Sequence, residues 1–161
     1  MLLRPFRIED FDAYARMNAD PEVRRFFGDG NPISVHDSWQ SMCMHIGHWQ
    51  LRGFGLWAVE LKATGEFIGR AGIWYPQGWP DLEAAWTIAS PHWGHGYATE
   101  VGREGLRHAF DELGAQHVVS LIHPGNSRSV RVAEKLGGGL EGRRDLFGAD
   151  TLIYGYASAP E

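Results

Sequence analysis

A glycine-rich turn at residues 92–100, His-Trp-Gly-His-Gly-Tyr-Ala-Thr-Glu, constrains the fold more than any other segment. It joins a predicted buried strand, residues 82–89, to a predicted amphipathic helix that ends at Gly114. Gly94 and Gly96 lack a Cβ, so the backbone can turn sharply and present its N–H groups to a bulky neighbour. The first N–H groups of a helix are unpaired and lie at the positive end of its dipole, which suits a phosphate. The same spacing also suits a plain tight turn.

Composition limits the class of protein. The 161 residues, 43% hydrophobic and 22% charged, predict one globular domain with a sizeable core. A net charge of -5 argues against a nucleic-acid partner, which would favour a basic face. We find neither a signal-peptide run nor the ~20 apolar residues of a membrane helix, which predicts a soluble, cytoplasmic protein with no membrane partner. Cys43 is the only cysteine, so an internal disulfide is excluded.

The N-terminal third is predicted to contain one short strand followed by three helices. A strand at residues 2–7 precedes a helix with Phe11, Tyr14 and Met17 on its buried face. A second helix starts with Asp20 as its N-cap and ends near Gly28. The last helix of this region is capped by Ser34 or Asp37, and its apolar face comprises four residues: Trp39, Met42, Ile46 and Trp49.

His45 and His48 lie three residues apart and could share a metal ion. No third ligand accompanies them in the sequence, and we therefore expect no metal site.

A hairpin is predicted next, because the apolar runs 54–61 and 66–74 are separated by a polar connection that contains Gly65. Residues 75–81 are too rich in proline and glycine for regular structure. The aromatic side chains of this exposed loop either shape a substrate pocket or, as Trp79 could, pack on the sheet.

The C-terminal third adds a buried strand at residues 118–123 and a helix that begins at Asn126, its N-cap, and ends at Gly137. A closing strand covers residues 151–157. The whole order is strand, helices, hairpin, strand, glycine turn, helix, strand, helix, strand. This order predicts an α/β fold, more specifically α+β, built around one sheet.

These segments resemble the GNAT family of N-acetyltransferases, and within it the ribosomal-protein N-terminal acetyltransferases of the RimJ and RimL type. The family's acetyl-CoA signature, Gln or Arg, two residues, Gly, one residue, then Gly or Ala, falls on residues 93–98, with Trp93 at the first position. A second block, residues 126–137, resembles the family's later helix and its Glu-Lys-Leu-Gly ending. The opening Leu-Arg-Pro and residues 20–23 also match, so the resemblance covers nearly the whole chain.

The resemblance implies a single GNAT-type domain over residues 1–161. Its central sheet is mixed, mostly antiparallel and flanked by helices, and it splays between the strand at 82–89 and the strand at 118–123. Acetyl-CoA enters this gap as a co-substrate, with its pyrophosphate on residues 94–99 and its pantetheine arm on backbone groups near Ile88 and Ala89. The implied cofactor-binding residues are Ile88, Ala89, Trp93, Gly94, His95, Gly96, Tyr97, Ala98, Thr99, Asn126 and Ser129.

Catalytic roles are also implied by the resemblance. Glu83, at the start of the strand beside the gap, is the candidate general base, or else a solvated strand-end carboxylate; His123 is the alternative base. Many relatives have a Tyr that acts as the general acid at the position where this chain has Ala133. Ser129 is therefore the candidate proton donor or relay, with Tyr75 as the alternative. Ser129 could also simply bond its own helix backbone.

The implied activity is direct acetyl transfer to a primary amine, either a small molecule or a peptide or protein N-terminus. The alternative is a non-catalytic acyl-CoA-binding sensor or assembly subunit. The aromatic loop and the acidic composition favour a cationic acceptor, and a homodimer is possible because many relatives form one.

Overall fold

The computed structural model describes residues 1–160 and contains a seven-stranded sheet in the order β1-β2-β3-β4-β5-β7-β6. The strands are β1 Leu2–Arg4, β2 Leu56–Glu60, β3 Phe67–Trp74, β4 Glu83–Ile88, β5 Val118–Ile122, β6 Gly139–Leu146 and β7 Ala149–Tyr156. All neighbouring strands are antiparallel except β4 and β5, which are parallel. The predicted mixed, mostly antiparallel sheet is therefore confirmed.

Helices flank this sheet, as predicted: α1 Phe11–Asn18, α2 Pro21–Arg24, α3 Val35–Arg52, α4 Tyr97–Arg107 and α5 Ser127–Lys135. A π-helical turn at His108–Glu112, which the periodicity did not predict, continues α4. The predicted caps form: the Asp20 side chain accepts a hydrogen bond from the Glu22 N–H, and Ser34, rather than Asp37, caps α3. No helix within residues 1–160 is both long enough and apolar enough to cross a membrane.

The predicted apolar face of α3 is wrong by about one position along the helix. Its buried residues are Ser38, Met42, His45 and His48, whereas Trp39 and Ile46 are 43% and 46% exposed. Both ring nitrogens of His48 and Nε2 of His45 have hydrogen-bond partners there, which offsets their loss of water, whereas Nδ1 of His45 has none. Hydrophobicity alone therefore predicts the wrong buried face for α3.

Three boundaries and one strand also differ from the predictions. The first strand ends at Arg4, before Pro5, and α2 ends at Arg24, where the Phe27 N–H bonds back to the Arg24 carbonyl in a turn. The strand β6 was not predicted, and β7 begins two residues before the predicted closing strand, at Ala149. Because β6 is an edge strand with mostly exposed and charged residues, it has no apolar alternation to reveal it.

Close packing of α4 on the sheet depends on its small residues. A Cβ added at Gly102 would lie 3.2 Å from the Trp86 ring of β4 and 2.7 Å from the Leu136 side chain, whereas one at Gly105 would make an ordinary contact of 3.5 Å with the Cα of Gly72. Val101 and Leu106 are buried on the same face, as the periodicity predicts. The tight contact fixes the start of α4, and with it the glycine turn, against β3 and β4.

The sheet splays between β4 and β5, as expected. Only Glu83 and Val119 are paired across this boundary, and beyond them the strands separate. Past this pair, hydrogen bonds that involve side chains replace the backbone pairing between the two strands. The Ser120 hydroxyl donates to the Ala84 carbonyl at 2.7 Å, and the Leu121 N–H donates to the Glu83 carboxyl. The gap between the strands is therefore part of the architecture and leads directly to Glu83.

Candidate active site

The glycine turn has the backbone conformation that its sequence predicts. Gly94 and Gly96 have φ angles of 83° and 81°, in the left-handed region, and Gly96 is the N-cap residue of α4. Apart from the glycine itself and its two chain neighbours, no residue between 1 and 160 has an atom within 4 Å of the position that a Cβ would take at either glycine. A side chain there would strain the backbone, and the space next to the helix start is open to a ligand.

A cleft of about 500 Å³ opens beside this turn and is called the glycine cleft below. It lies between β4, the start of α4 and the start of α5. Of the residues predicted to bind the cofactor, nine line it: Ile88, Trp93, Gly94, Gly96, Tyr97, Ala98, Thr99, Asn126 and Ser129. Ala89 and His95 do not. The two sequence blocks, 93–98 and 126–137, are thus brought together on one cleft.

The glycine cleft also has basic residues that the sequence analysis did not single out. They come from α5 and from the segment after α2: Arg25, Arg128, Arg131 and Lys135. The Arg128 guanidinium lies 4.4 Å from the ring centre of Trp93, whose Nε1 donates to the Ile88 carbonyl at 2.7 Å. Several positive charges beside open helix N–H groups suit a polyphosphate.

The backbone groups near the end of β4 are only partly available. The Ala89 N–H donates to the Ile68 carbonyl at 2.8 Å, and the Ile88 carbonyl is occupied by Trp93. The antiparallel register with β3 turns the polar groups of Trp86 and the N–H of Ile88 toward the gap. Trp86 and Ile88, rather than Ala89, therefore present backbone groups to an extended ligand.

A second cavity of about 530 Å³, called the aromatic chamber below, lies on the other side of the splay. Its large aromatic side chains come from five segments: Phe26, Phe27, Trp74, Trp79, Trp86 and Phe147. It shares with the glycine cleft a junction formed by Phe26, Phe27, Trp86, Thr87, Asn126 and Ser129. Two molecules could thus meet at this junction from opposite sides.

Glu83 lines the aromatic chamber and is only 9% exposed, which excludes a solvated strand-end carboxylate. Burial raises the pKa of Glu83 to about 7, although hydrogen bonds from the Trp79 indole and the Leu121 N–H oppose the shift. The Trp79 Nε1 lies 2.8 Å from Oε2 of Glu83. A carboxyl group that titrates near neutrality can take up a proton at cellular pH.

Ser129 lies at the junction of the two cavities, one turn into α5. Its N–H donates to Oδ1 of Asn126 at 3.1 Å, so Asn126 is the N-cap of α5 as predicted. His123 lines the aromatic chamber, where its Nδ1 accepts from the Gly125 N–H at 3.0 Å. Tyr75 lines neither cavity, and its ring lies instead against the Arg52 guanidinium.

The two histidines of α3 bond to other groups of the protein. His48 uses both ring nitrogens within the protein, with Nδ1 2.8 Å from the Phe54 carbonyl and Nε2 accepting from the Tyr75 N–H. His45 contacts the Arg70 guanidinium through Nε2. Within residues 1–160, no group of three or more His, Cys, Asp or Glu side chains could hold a metal ion.

Comparison with known proteins agrees with this geometry. A family model described as an acetyltransferase (GNAT) domain matches residues 1–138. The uncharacterized protein YkkB of Bacillus subtilis is 44% identical over 88 residues, which cover 53% of this chain and 51% of that protein. The match therefore spans about half the length of this curated relative.

Solved structures extend the similarity to almost the whole chain. An acetyltransferase from Agrobacterium tumefaciens is 34% identical with a TM-score of 0.84, and the match covers 96% of this chain and 88% of that one. RimJ from Mycobacterium smegmatis, solved in complex with CoA-disulfide, is 25% identical with a TM-score of 0.75, over 96% and 80% of the two chains. Since the family model covers most of the sequence and the splayed sheet and glycine turn agree with it, the chain belongs to the GNAT acetyltransferase family.

Proposed function

We propose that the chain is an N-acetyltransferase that moves an acetyl group from acetyl-CoA directly to a primary amine, on a protein N-terminus or a small molecule. The observation that carries this proposal is the junction of the glycine cleft and the aromatic chamber beside the buried Glu83. A donor in the glycine cleft and an acceptor in the aromatic chamber can meet at this junction. A protein that only binds acyl-CoA would need neither the second cavity nor a buried carboxyl group.

Acetyl-CoA fits the glycine cleft by its chemistry. The N–H groups of residues 94–99 and the basic side chains of Arg25, Arg128, Arg131 and Lys135 would hold its phosphates. Backbone groups of Trp86 and Ile88 would bind its pantetheine arm. Because Oδ1 of Asn126 already accepts from Ser129, its Nδ2 is the group that would donate to that arm. The CoA-disulfide in the RimJ structure supports this assignment.

The chemistry needs a neutral amine and a proton for the departing thiolate. Acetyl-CoA supplies the thioester carbon that the amine attacks. Glu83 accepts the amine proton, directly or through water, and its raised pKa keeps it able to do so near neutrality. Ser129 relays a proton toward the sulfur from its place at the junction, while Ala133 has no hydroxyl to offer. The products are an amide and the CoA thiol.

We infer further that the chain belongs to the RimJ and RimL branch. The opening Leu-Arg-Pro, the segment at residues 20–23 and the similarity to RimJ over 96% of the chain support this placement.

Acetyl transfer is tested with acetyl-CoA and a panel of peptides with unblocked N-termini, polyamines, amino acids and small amines. Thiol release reports turnover, and mass spectrometry identifies the acetylated amine. We expect at least one amine to be acetylated in proportion to the thiol released. Tight acetyl-CoA binding by calorimetry, without thiol release above the amine-independent control, would sink the proposal in favour of a non-catalytic binder.

A further inference from the structure

Two arginines in the aromatic chamber have no carboxylate partner. Arg24 and Arg70 both line this chamber, neither lines the glycine cleft, and both are half-buried. Neither forms a salt bridge with any residue between 1 and 160. Partial burial removes water from a guanidinium group, so its interaction with a bound anion is stronger than it would be at the open surface. The chamber therefore presents two uncompensated guanidinium groups.

Neutral groups hold Arg70 in position. Its Nη1 donates to the Tyr14 hydroxyl at 3.1 Å and to His45 Nε2, and its Nε lies 3.5 Å from the Thr87 hydroxyl. Burial, and then the charge of Arg70, hold the pKa of His45 well below its usual value, so this ring is neutral. None of the hydrogen bonds among residues 1–160 uses Nη2 of Arg70. The guanidinium is thus positioned with donors to spare.

Arg24 is held less tightly, and its charge is close enough to be affected by Arg70. Its Nε donates to the Asn31 carbonyl at 3.3 Å, and its guanidinium lies 5.4 Å from the ring centre of Phe27. Burial, followed by repulsion from Arg70, lowers the pKa of Arg24. Asp29 opposes this only weakly because it is exposed and hydrogen-bonded to Asn31.

The acidic residues of the chamber neutralise this pair only in part. Asp150 is bound to Arg143 by an ion pair with Nε and Oδ1 2.7 Å apart. Glu83, with a pKa of about 7, is close to half-protonated at neutral pH. The chamber therefore retains positive charge, which repels a polycation. The phosphates of CoA are not a suitable counterion for this pair, because the residues proposed to bind them line the glycine cleft.

We propose that the acetyl acceptor carries an oxyanion, a carboxylate or a phosphate, that binds Arg24 and Arg70 while its amine lies near Glu83. Two planar guanidinium groups match the paired oxygens of such a group. This inference rests on the proposed acetyl transfer, and it names amino acids and amine phosphates as the acceptor class. It replaces the cationic acceptor that the acidic composition favours, because the local charge of the chamber differs in sign from the net charge of the chain.

Matched ligands test the charge preference in the CoA-saturated protein. Calorimetry compares α-amino acids with their amides, such as L-phenylalanine with L-phenylalaninamide, then O-phosphoethanolamine with ethanolamine, and finally spermine. We expect at least one ligand that carries an oxyanion to bind about 10-fold more tightly than its partner without one and than spermine, the size expected for a hydrogen bond to a charged group. The amino acid and phosphate pairs show which oxyanion is preferred. Equal or weaker binding of both oxyanion-bearing ligands, or no binding at all, overturns the proposal.

Charge-removing variants locate the preference. Arg24→Met and Arg70→Met should each lower the affinity ratio between the oxyanion-bearing ligand and its partner several-fold, because each removes one of the two guanidinium groups that bind the oxyanion. Arg70→Lys, which keeps the charge if Arg70→Met fails to fold, should retain part of the ratio. The exposed Arg103→Met is the matched control and should change nothing. A ratio unaffected in both Arg24→Met and Arg70→Met overturns the assignment.

The failure of this inference can be told apart from a failure of the proposed function, because charge preference is read from binding alone. If an amine with an oxyanion binds through Arg24 and Arg70 but is not acetylated, the result contradicts the proposed acetyl transfer. Acetylation that favours spermine contradicts only the acceptor class. Removing Arg70 should also shift the pH dependence of turnover upward, since its charge lowers the pKa of Glu83.

Discussion

The glycine cleft and the aromatic chamber lie on opposite sides of the same splay and are built in different ways. The glycine cleft is lined by neighbouring residues of one turn, Gly94 and residues 96–99, with a rim of basic side chains. The aromatic chamber is formed by side chains that are distant in sequence, and its central carboxyl group is buried. The first is therefore suited to bind one chemical group through main-chain geometry, whereas single substitutions can change which ligand the second accepts. Donor and acceptor selection should be separable by mutation.

The substitution Glu83→Gln is expected to separate turnover from acetyl-CoA binding most clearly. The amide fills the same space but cannot accept a proton from the amine, so turnover should fall by about 100-fold to 10,000-fold, the usual contribution of a general base. Acetyl-CoA affinity should stay within about 2-fold because Glu83 does not line the glycine cleft. Steady-state kinetics and calorimetry measure the two quantities. The exposed Glu134→Gln is the control, and a variant with normal turnover would remove Glu83 from the mechanism.

The same substitution should stabilise the protein. Burial raises the pKa of Glu83 from 4.5 to about 7, so the folded state retains a proton that the unfolded state has lost between these values. Wild-type stability from this group is therefore full below pH 4.5, declines up to pH 7 and stays reduced above it. Above pH 7, Glu83→Gln should exceed the wild type in free energy of unfolding by up to about 3 kcal/mol. Urea unfolding at pH 4.5 and 8 checks this, and an equal difference at both pH values would contradict a buried, raised-pKa carboxyl group.

The variant Gly96→Val tests the binding of acetyl-CoA in the glycine cleft. A β-branched residue is strained at a φ of 81° and would occupy the open space beside the start of α4. We expect acetyl-CoA to bind about 100-fold more weakly, as hydrogen bonds to its phosphates are lost. Calorimetry measures the affinity, and thermal unfolding measures the strain.

Gly65→Val is the matched control for this variant. Gly65 has a φ of 73° and open space around it, but it lies in the loop between β2 and β3. Both variants should lose similar stability, and only Gly96→Val should lose acetyl-CoA. Comparable loss of affinity in the two would mean that strain alone, and not the position of Gly96, explains the effect.

A smaller effect is expected from Trp79→Phe. The ring can still stack on Phe147, whose centroid is 5.0 Å away, but Glu83 loses its indole donor. Because that hydrogen bond lowers the pKa of Glu83, its loss should reduce turnover by about 10-fold at pH 6 and little above pH 8. Trp49→Phe is the control, because Trp49 lines neither cavity and its indole makes a comparable bond, to the Leu56 carbonyl at 2.9 Å. A loss in Trp79→Phe that is equal at all pH values would disprove a role through the carboxyl group.

The sequence reveals the two regions unequally for a physical reason. The glycine turn, the Asn126 cap and the helix faces depend on neighbouring residues, so periodicity and glycine spacing predict them. The family resemblance then indicated Glu83, yet its burial follows from the Trp79 contact and the closure of the chamber, which no local pattern encodes.

Arg24 and Arg70 illustrate the limit most clearly. They are 46 positions apart in the printed chain, on α2 and β3, and only packing brings both to one cavity. The net charge of -5 suggested the opposite acceptor, because an overall charge carries no information about where the charges lie. The edge strand β6 escaped detection in the same way, since its place in the sheet depends on pairing with β7 and not on its own pattern.

The most direct test of the account is the pH dependence of acetyl transfer in the wild type and in Glu83→Gln, at saturating acetyl-CoA. We predict that kcat/KM for the acceptor rises through a midpoint near pH 7 in the wild type, and that this limb is absent from the variant. The same limb in both proteins, or no limb near pH 7 in the wild type, would contradict a reaction that depends on the carboxyl group where the two cavities meet.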